Sequence, residues 1–149
     1  MSPAALHRVV DRPGERSAEE LLDAHAAQLQ AAIDAAGVEA AAEAAGLDQE
    51  TVSAIADGDS GAAAEIPLEA AAELLARPAE TASGQELLAE ALDELLFGMT
   101  AGVLNVDVVA AELESDLDPR EVQQALEGRY PVTLGQYVEL QRLIASRSG

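Results

Sequence analysis

From Ser17 onward, apolar side chains recur at helical spacing, and no segment alternates with period two for long enough to make a strand. Leu21, Leu22, His25, Leu29 and Ile33 mark one face of a first helix. The capping box Ser17-x-x-Glu20 opens it and Gly37 stops it. A short Ala-rich helix follows from Val38 to Ala45, ended by Gly46, with Leu47 packing down from the turn. Asp48 caps a third helix, Gln49 to Asp57, and Gly58 ends it. Asp59 to Glu65 reads as a loop. Pro67 suits a first helical position, and a fourth helix runs to about Ala76.

The second half repeats this plan. Ser83-x-x-Glu86 is another capping box, ahead of a stripe of Leu87, Leu88, Ala91, Leu92, Leu95 and Leu96. Asn105 can cap a helix from Val106 to about Glu114. Asp118-x-x-Glu121, with Pro119 at the first position, opens the next helix, and Gly128 closes it. Thr133-x-x-Gln136 opens the last, whose buried face is expected to be Leu134, Tyr137, Leu140 and Ile144. Ser17 to Leu22 returns as Ser83 to Leu88, Asp48 to Gly58 as Asp118 to Gly128, and Ile66-Pro67-Leu68 as Val132-Thr133-Leu134, at offsets of 66, 70 and 66 residues. Insertions in turns with helices left intact are what a duplicated helical unit tolerates. The expected fold is therefore all-α: two tandem four-helix units packed together, eight helices in all. The expected organisation is a mobile arm over residues 1–16, a first unit over 17–76, a linker over 77–82 and a second unit over 83–149.

Composition changes this picture in two ways. Ala supplies 33 of the 73 apolar residues, so helices can approach closely but each buried side chain contributes little area. The 28 acids face only eight basic residues, all Arg, giving a net charge of −20. Such a charge repels itself, nucleic acid and anionic membranes at ordinary salt. At about 1 M salt the screening length is only about 3 Å, and the repulsion largely disappears. High acid, no Lys, abundant Ala and few large apolar residues resemble the proteins of haloarchaea, and the charge then reads as surface adaptation to molar salt. There is no Cys for a disulfide or thiolate site, and no apolar run long enough for a membrane span. A cytoplasmic protein with no membrane association, monomeric or homodimeric, is expected.

Ala42, Gly46, Leu47, Asp48, Val52, Ile55 and Gly58 resemble the helix-turn-helix of phage-repressor and Cro-type domains. That pattern is a small residue in the second helix, a turn Gly with a following aliphatic, an N-cap, two inward aliphatics three apart and a closing Gly. In the second unit Ala110, Leu117, Asp118, Val122 and Gly128 still match, but the turn is two residues longer and lacks the Gly. The whole chain also resembles a family of small haloarchaeal proteins.

The resemblance implies that the third helix of each unit would enter a major groove of double-stranded DNA. The first unit has Gln49, Glu50, Ser53 and Ala54 at its outward positions and no basic residue between Arg16 and Arg77, so it cannot neutralise phosphate. The second unit carries Arg120, Gln123 and Gln124 on its third helix, Arg129 just beyond, and Arg142 on the last helix. Arg can bind guanine bidentately and Gln can bind adenine. The competing reading pairs these Arg with Glu121, Glu127 and Glu139 on a solvated face. The resemblance thus implies a DNA-binding transcriptional regulator contacting DNA through the second unit. The alternative is a non-enzymatic protein-interaction or scaffold module that kept the fold without DNA, its partner another protein. No catalytic residue, cofactor or metal site is expected. His25 lies on an apolar helix face and reads as a core or boundary residue.

Overall fold

The structure, a computed structural model, describes residues 15–76, 83–114 and 116–148. It is all-α. Nine helices occur among the described residues: α1 (Ala18–Ala36), α2 (Val38–Ala45), α3 (Gln49–Ala56), α4 (Ser60–Glu65), α5 (Leu68–Ala76), α6 (Gly84–Ala101), α7 (Val106–Glu112), α8 (Pro119–Leu126) and α9 (Leu134–Ser148). The expected arm, apart from Glu15 and Arg16, and the expected linker lie outside the described residues.

Caps set most of the helix starts. Ser17, Asp118 and Thr133 each accept from the backbone N–H three residues on, and Glu20, Glu121 and Gln136 return the bond to the capping residue's own N–H. At Ser83 only half of the expected box is present: its hydroxyl accepts from the Glu86 N–H. Gly58 (φ 94°) and Gly128 (φ 78°) close the turns after α3 and α8 in the left-handed region that a residue with a Cβ avoids.

Four expectations need correction, besides the helix count, which is nine among the described residues, five of them in the first half, where eight in two units of four were expected. Asp59–Glu65 is not a loop: the Asp59 carboxylate caps the Ala62 N–H, and Ser60–Glu65 forms α4. Pro67 is not the first helical residue but stands just before α5, where its carbonyl accepts from the Ala71 N–H. Leu96, expected in the buried stripe of α6, is 39% exposed. The buried face of α9 is wider than expected, adding Val138, Gln141 and Leu143 to the four named positions.

Packing follows one scheme in the two halves. α3 lies against α1 and α2, and α5 against the same two helices. In the second half α8 lies against α6 and α7, and α9 against the same two. Between the halves α5 packs on α6, α1 on α9 and α4 on α9. Small residues bring α4 and α9 close: a Cβ on Gly135 would stand 3.2 Å from the Ala64 carbonyl oxygen. One hydrophobic core runs through both halves, from Leu21, Leu29, Ile33, Val52 and Ile55 to Val122, Leu134, Leu140 and Ile144. Pro67 and Thr133 form an isolated antiparallel bridge between them.

Candidate nucleic-acid and protein interfaces

The sequence places its candidate DNA-reading residues on α8. Val122, Ala125 and Leu126 bury one face of that helix in the core, and this fixes which residues turn outward. Arg120 and Gln123 are exposed and Gln124 is half-buried. Beyond the helix, the Arg129 N–H donates to the Gln124 carbonyl at 2.7 Å, closing the turn at Gly128.

The outward groups converge on an acid. Arg129 donates from Nε to Glu127 Oε1 at 3.1 Å and pairs with the same oxygen through Nη2. Gln123 donates from Nε2 to Glu127 Oε2 at 3.1 Å. Hydrogen bonds from Arg129 first, and then from Gln123, hold the Glu127 carboxyl below the usual range. Beside it, a hydrogen bond to Glu121 is the main cause pushing the Tyr130 phenol up. From Asp118 to Arg129 the acids Asp118, Glu121 and Glu127 stand against Arg120 and Arg129, one negative charge in excess. Arg142 is elsewhere: its Nε donates to the Arg16 carbonyl at 3.0 Å, tying α9 to the residue before the Ser17 cap of α1. Arg120 is the exposed cation on α8 with no ion pair or hydrogen bond to a described residue. The structure therefore gathers Arg120, Gln123, Gln124 and Arg129 on one end of the second half and leaves Arg142 out of that group. The same side of the first half has exposed Gln49 and Glu50 and no cation.

His25 is 1% exposed in α1, as its apolar face implied. Its Nε2 lies 3.5 Å from Gln141 Oε1 of α9, and its ring meets Tyr137 edge-on with centroids 6.0 Å apart. Burial pulls the imidazole down to about 4, opposed by the Gln141 bond. Burial also pushes the Tyr137 phenol well up. Neither His25 Nδ1 nor the Tyr137 hydroxyl meets a hydrogen-bond partner among the described residues. At the 66-residue offset the positions of His25 and Gln141 are Ala91 and Leu75, both buried. The polar pair thus belongs to the α1–α9 contact, whereas the α5–α6 contact carries apolar residues there. Among the described residues no group of three or more His, Asp or Glu is placed to hold a metal ion.

A third feature lies apart from both. Among the described residues, the exposed large hydrophobic side chains fall between Leu96 and Val108 in sequence: Leu96 39%, Phe97 70%, Val103 90% and Val108 40%. They lie at the corner where α6 meets α7 with a bend of 104°. Val103 has φ 52°, and among the described residues it alone combines a side chain with a positive φ. The corner closes as a Schellman turn, with Val103 N–H donating to Thr100 O at 3.2 Å and Leu104 N–H to Met99 O at 2.9 Å. Glycine normally takes that position, and a left-handed β-branched residue costs about 1–2 kcal/mol. The position 66 residues earlier is Gly37, which has a different conformation (φ 92°, ψ 147°) and joins α1 directly to α2. There Gln30, which corresponds to Leu96, donates to the Ala56 carbonyl at 2.7 Å. Sequence reasoning missed this corner, although the Gly37-to-Val103 and Gln30-to-Leu96 replacements between repeats signal it.

No single helix among the described residues is long and apolar enough to cross a membrane. A family model described as a family of unknown function, DUF5791, matches residues 21–147. No curated protein and no solved structure matches the chain.

Proposed function

The chain belongs to DUF5791, and we propose that it is a non-enzymatic protein-interaction module: two helix-turn-helix units, duplicated within one chain, that keep the fold of a DNA reader without reading DNA. The observation that carries this is Glu127. It accepts from both Gln123 and Arg129, so two of the side chains best suited to bases and phosphates are already committed to an acid. The helix end that would approach a phosphate backbone is net negative, on a chain of net charge −20. Nonspecific DNA affinity comes mainly from Lys and Arg neutralising phosphates, and acids in that face oppose it.

The duplication is supported by symmetry of contacts. Matching α1, α2, α3 and α5 with α6, α7, α8 and α9 carries α3 on α1 and α2 onto α8 on α6 and α7, α5 on α1 and α2 onto α9 on α6 and α7, and α1 on α9 onto α6 on α5, whereas the packing of α1 on α2 has no equally close counterpart between α6 and α7. The antiparallel bridge joins Pro67 to Thr133, which the sequence repeat also equates. This is the pattern of an approximate two-fold axis through that bridge, with the second half standing where a dimer partner would. α4 has no counterpart in the second half. The charge is read as surface adaptation to molar salt in a cytoplasmic protein.

The rival reading, a transcriptional regulator contacting DNA through the second unit, draws on Arg120, whose guanidinium faces solvent near the N-terminal end of α8. Capture of partners from an extract kept in high KCl separates the two, with and without nuclease. A protein retained equally after nuclease treatment is expected. Retention that depends on intact nucleic acid would contradict the interaction-module reading.

A further inference from the structure

α4 fills a place that the second half leaves open. Between Gly58 and Ile66 the first half has residues 59–65, whereas between Gly128 and Val132 the second has only residues 129–131. The longer segment forms α4, which packs on α1, α3 and α9. With the halves matched as above, the corresponding place lies among α6, α8 and α5. A notch of about 250 Å³ stands there. It is lined by Glu69 of α5, Leu88 and Leu92 of α6, Ala125 of α8, and Arg129 and Tyr130 of the shorter turn. Leu92 holds the position of Ala26 and takes up part of the space without closing it.

The helix that fills the first place is made of small residues. It reads Ser60-Gly61-Ala62-Ala63-Ala64-Glu65, with Asp59 as its cap and Ala63 fully buried. A Cβ on Gly135 of α9 would stand 3.2 Å from the Ala64 carbonyl oxygen, so the approach is close. Glu69 holds the position of Gly135, which leaves room for no more than Gly or Ala opposite it. Arg129 holds the position of Asp59, so an acid capping an incoming helix would meet a cation. We propose, resting on the duplication and the protein-interaction reading above, that this notch docks a short helix of a partner protein, made of small residues and opened by an acidic cap, seated as α4 is seated in the first half. A second copy of the chain does not supply that helix, because its own α4 is already buried at Ala63.

The chain has no Cys, so a single engineered thiol can report the docking. The Ala64 Cβ would lie 3.3 Å from a Cβ on Gly135, close to the spacing of about 3.8 Å across a disulfide. The matching pair is the full chain carrying Glu69→Cys, an exposed position, and a peptide of residues 59–66 carrying Ala64→Cys. Two control peptides are used: one adds Ala63→Leu to Ala64→Cys, and the other carries Gly61→Cys alone, Gly61 being exposed in α4. In a thiol-exchange buffer with about 2 M KCl, the first peptide is expected to be captured at least about tenfold more than either control, because docking raises the effective concentration of its thiol. Equal capture of all three would overturn the proposal. Preferred capture of the Ala63→Leu peptide would also overturn it and assign the notch to bulkier apolar segments. Disulfide-linked dimers of the chain that outrun peptide capture would assign it to a second copy. Partner capture from a high-KCl extract then compares wild type with Glu69→Trp, which lays a large ring across the notch at an exposed position; retained helicity checks the fold. A protein retained by the wild type and lost from Glu69→Trp is expected. Equal retention by both would overturn the notch alone and leave the protein-interaction reading standing. Retention that depends on intact nucleic acid would remove that reading, and peptide capture would still decide what the notch accepts.

Discussion

Pro67 and Thr133 face each other across an antiparallel bridge, and the bonds on either side of them are reciprocal. The Leu68 N–H donates to the Val132 carbonyl at 2.9 Å, and the Leu134 N–H donates to the Ile66 carbonyl at 2.9 Å. Each half therefore satisfies the other's backbone just before its last long helix. Leu68 and Leu134 follow the bridge and are 2% and 0% exposed. Leu68→Ala and Leu134→Ala are each expected to cost about 2–5 kcal/mol, the usual range for a buried leucine. Chemical denaturation in high KCl measures this. A loss under about 1 kcal/mol at either position would be too small for a fully packed core site and would show that the join between halves is loose.

His25 makes stability depend on pH. Its folded value, about 4, lies below the ordinary value of 6.5. The unfolded chain therefore takes up the proton first as pH falls, and the folded state loses ground between 6.5 and about 4. A tenfold difference in proton affinity between the two states is worth about 1.4 kcal/mol, so the full loss is roughly 3 kcal/mol. Protonation of the many carboxylates acts over part of the same range, so the measurement is a difference. Between pH 7 and pH 4 the wild type should lose roughly 3 kcal/mol more than His25→Leu, which should stay helical. Parallel pH profiles would mean that His25 takes up its proton in the folded protein as readily as in the unfolded chain.

Val103→Gly should stabilise the fold. It removes a side chain that is 90% exposed and relieves a positive φ of 52°. The expected gain is about 1 kcal/mol, read as a rise in Tm. A fall in Tm would mean that the Val103 side chain contributes more than its backbone conformation costs.

Much of the fold was legible because it is written in local chemistry. Capping residues and turn glycines announce where helices begin and end, and Ser17, Asp48, Asn105, Asp118 and Thr133 all cap where their sequence context placed them. What escaped depends on partners distant in sequence. α4 has one buried residue, Ala63, so Ser60–Glu65 shows no apolar period. Gln141 reads as polar yet is buried, where it meets His25, 116 residues away. Leu96 and Phe97 look like core residues, yet no described helix covers them. For the candidate interface, spacing located the outward residues of α8. The competing acid was also in view, since Glu127 is two residues from Arg129 and four from Gln123; only side-chain geometry showed that both donate to it.

Net charge should make stability rise with salt. With 28 acids against eight Arg, self-repulsion is unscreened in dilute buffer. Tm should climb as KCl rises from about 0.1 M to about 2 M, over which the screening length falls from about 10 Å to below 3 Å. A Tm that does not move across that range would remove the salt-adaptation reading of the charge.

The most direct test of the protein-interaction reading is selection from a random pool of duplex DNA in about 2 M KCl, where charge repulsion is screened. Wild type and Glu127→Gln are compared, since the substitution removes the acid that engages Gln123 and Arg129. The account expects no motif to be enriched by the wild type, and any weak enrichment to appear first in Glu127→Gln. A motif enriched by the wild type, and relaxed at one position by Arg120→Ala at a cost of about 1–3 kcal/mol, would contradict it and assign α8 to the major groove.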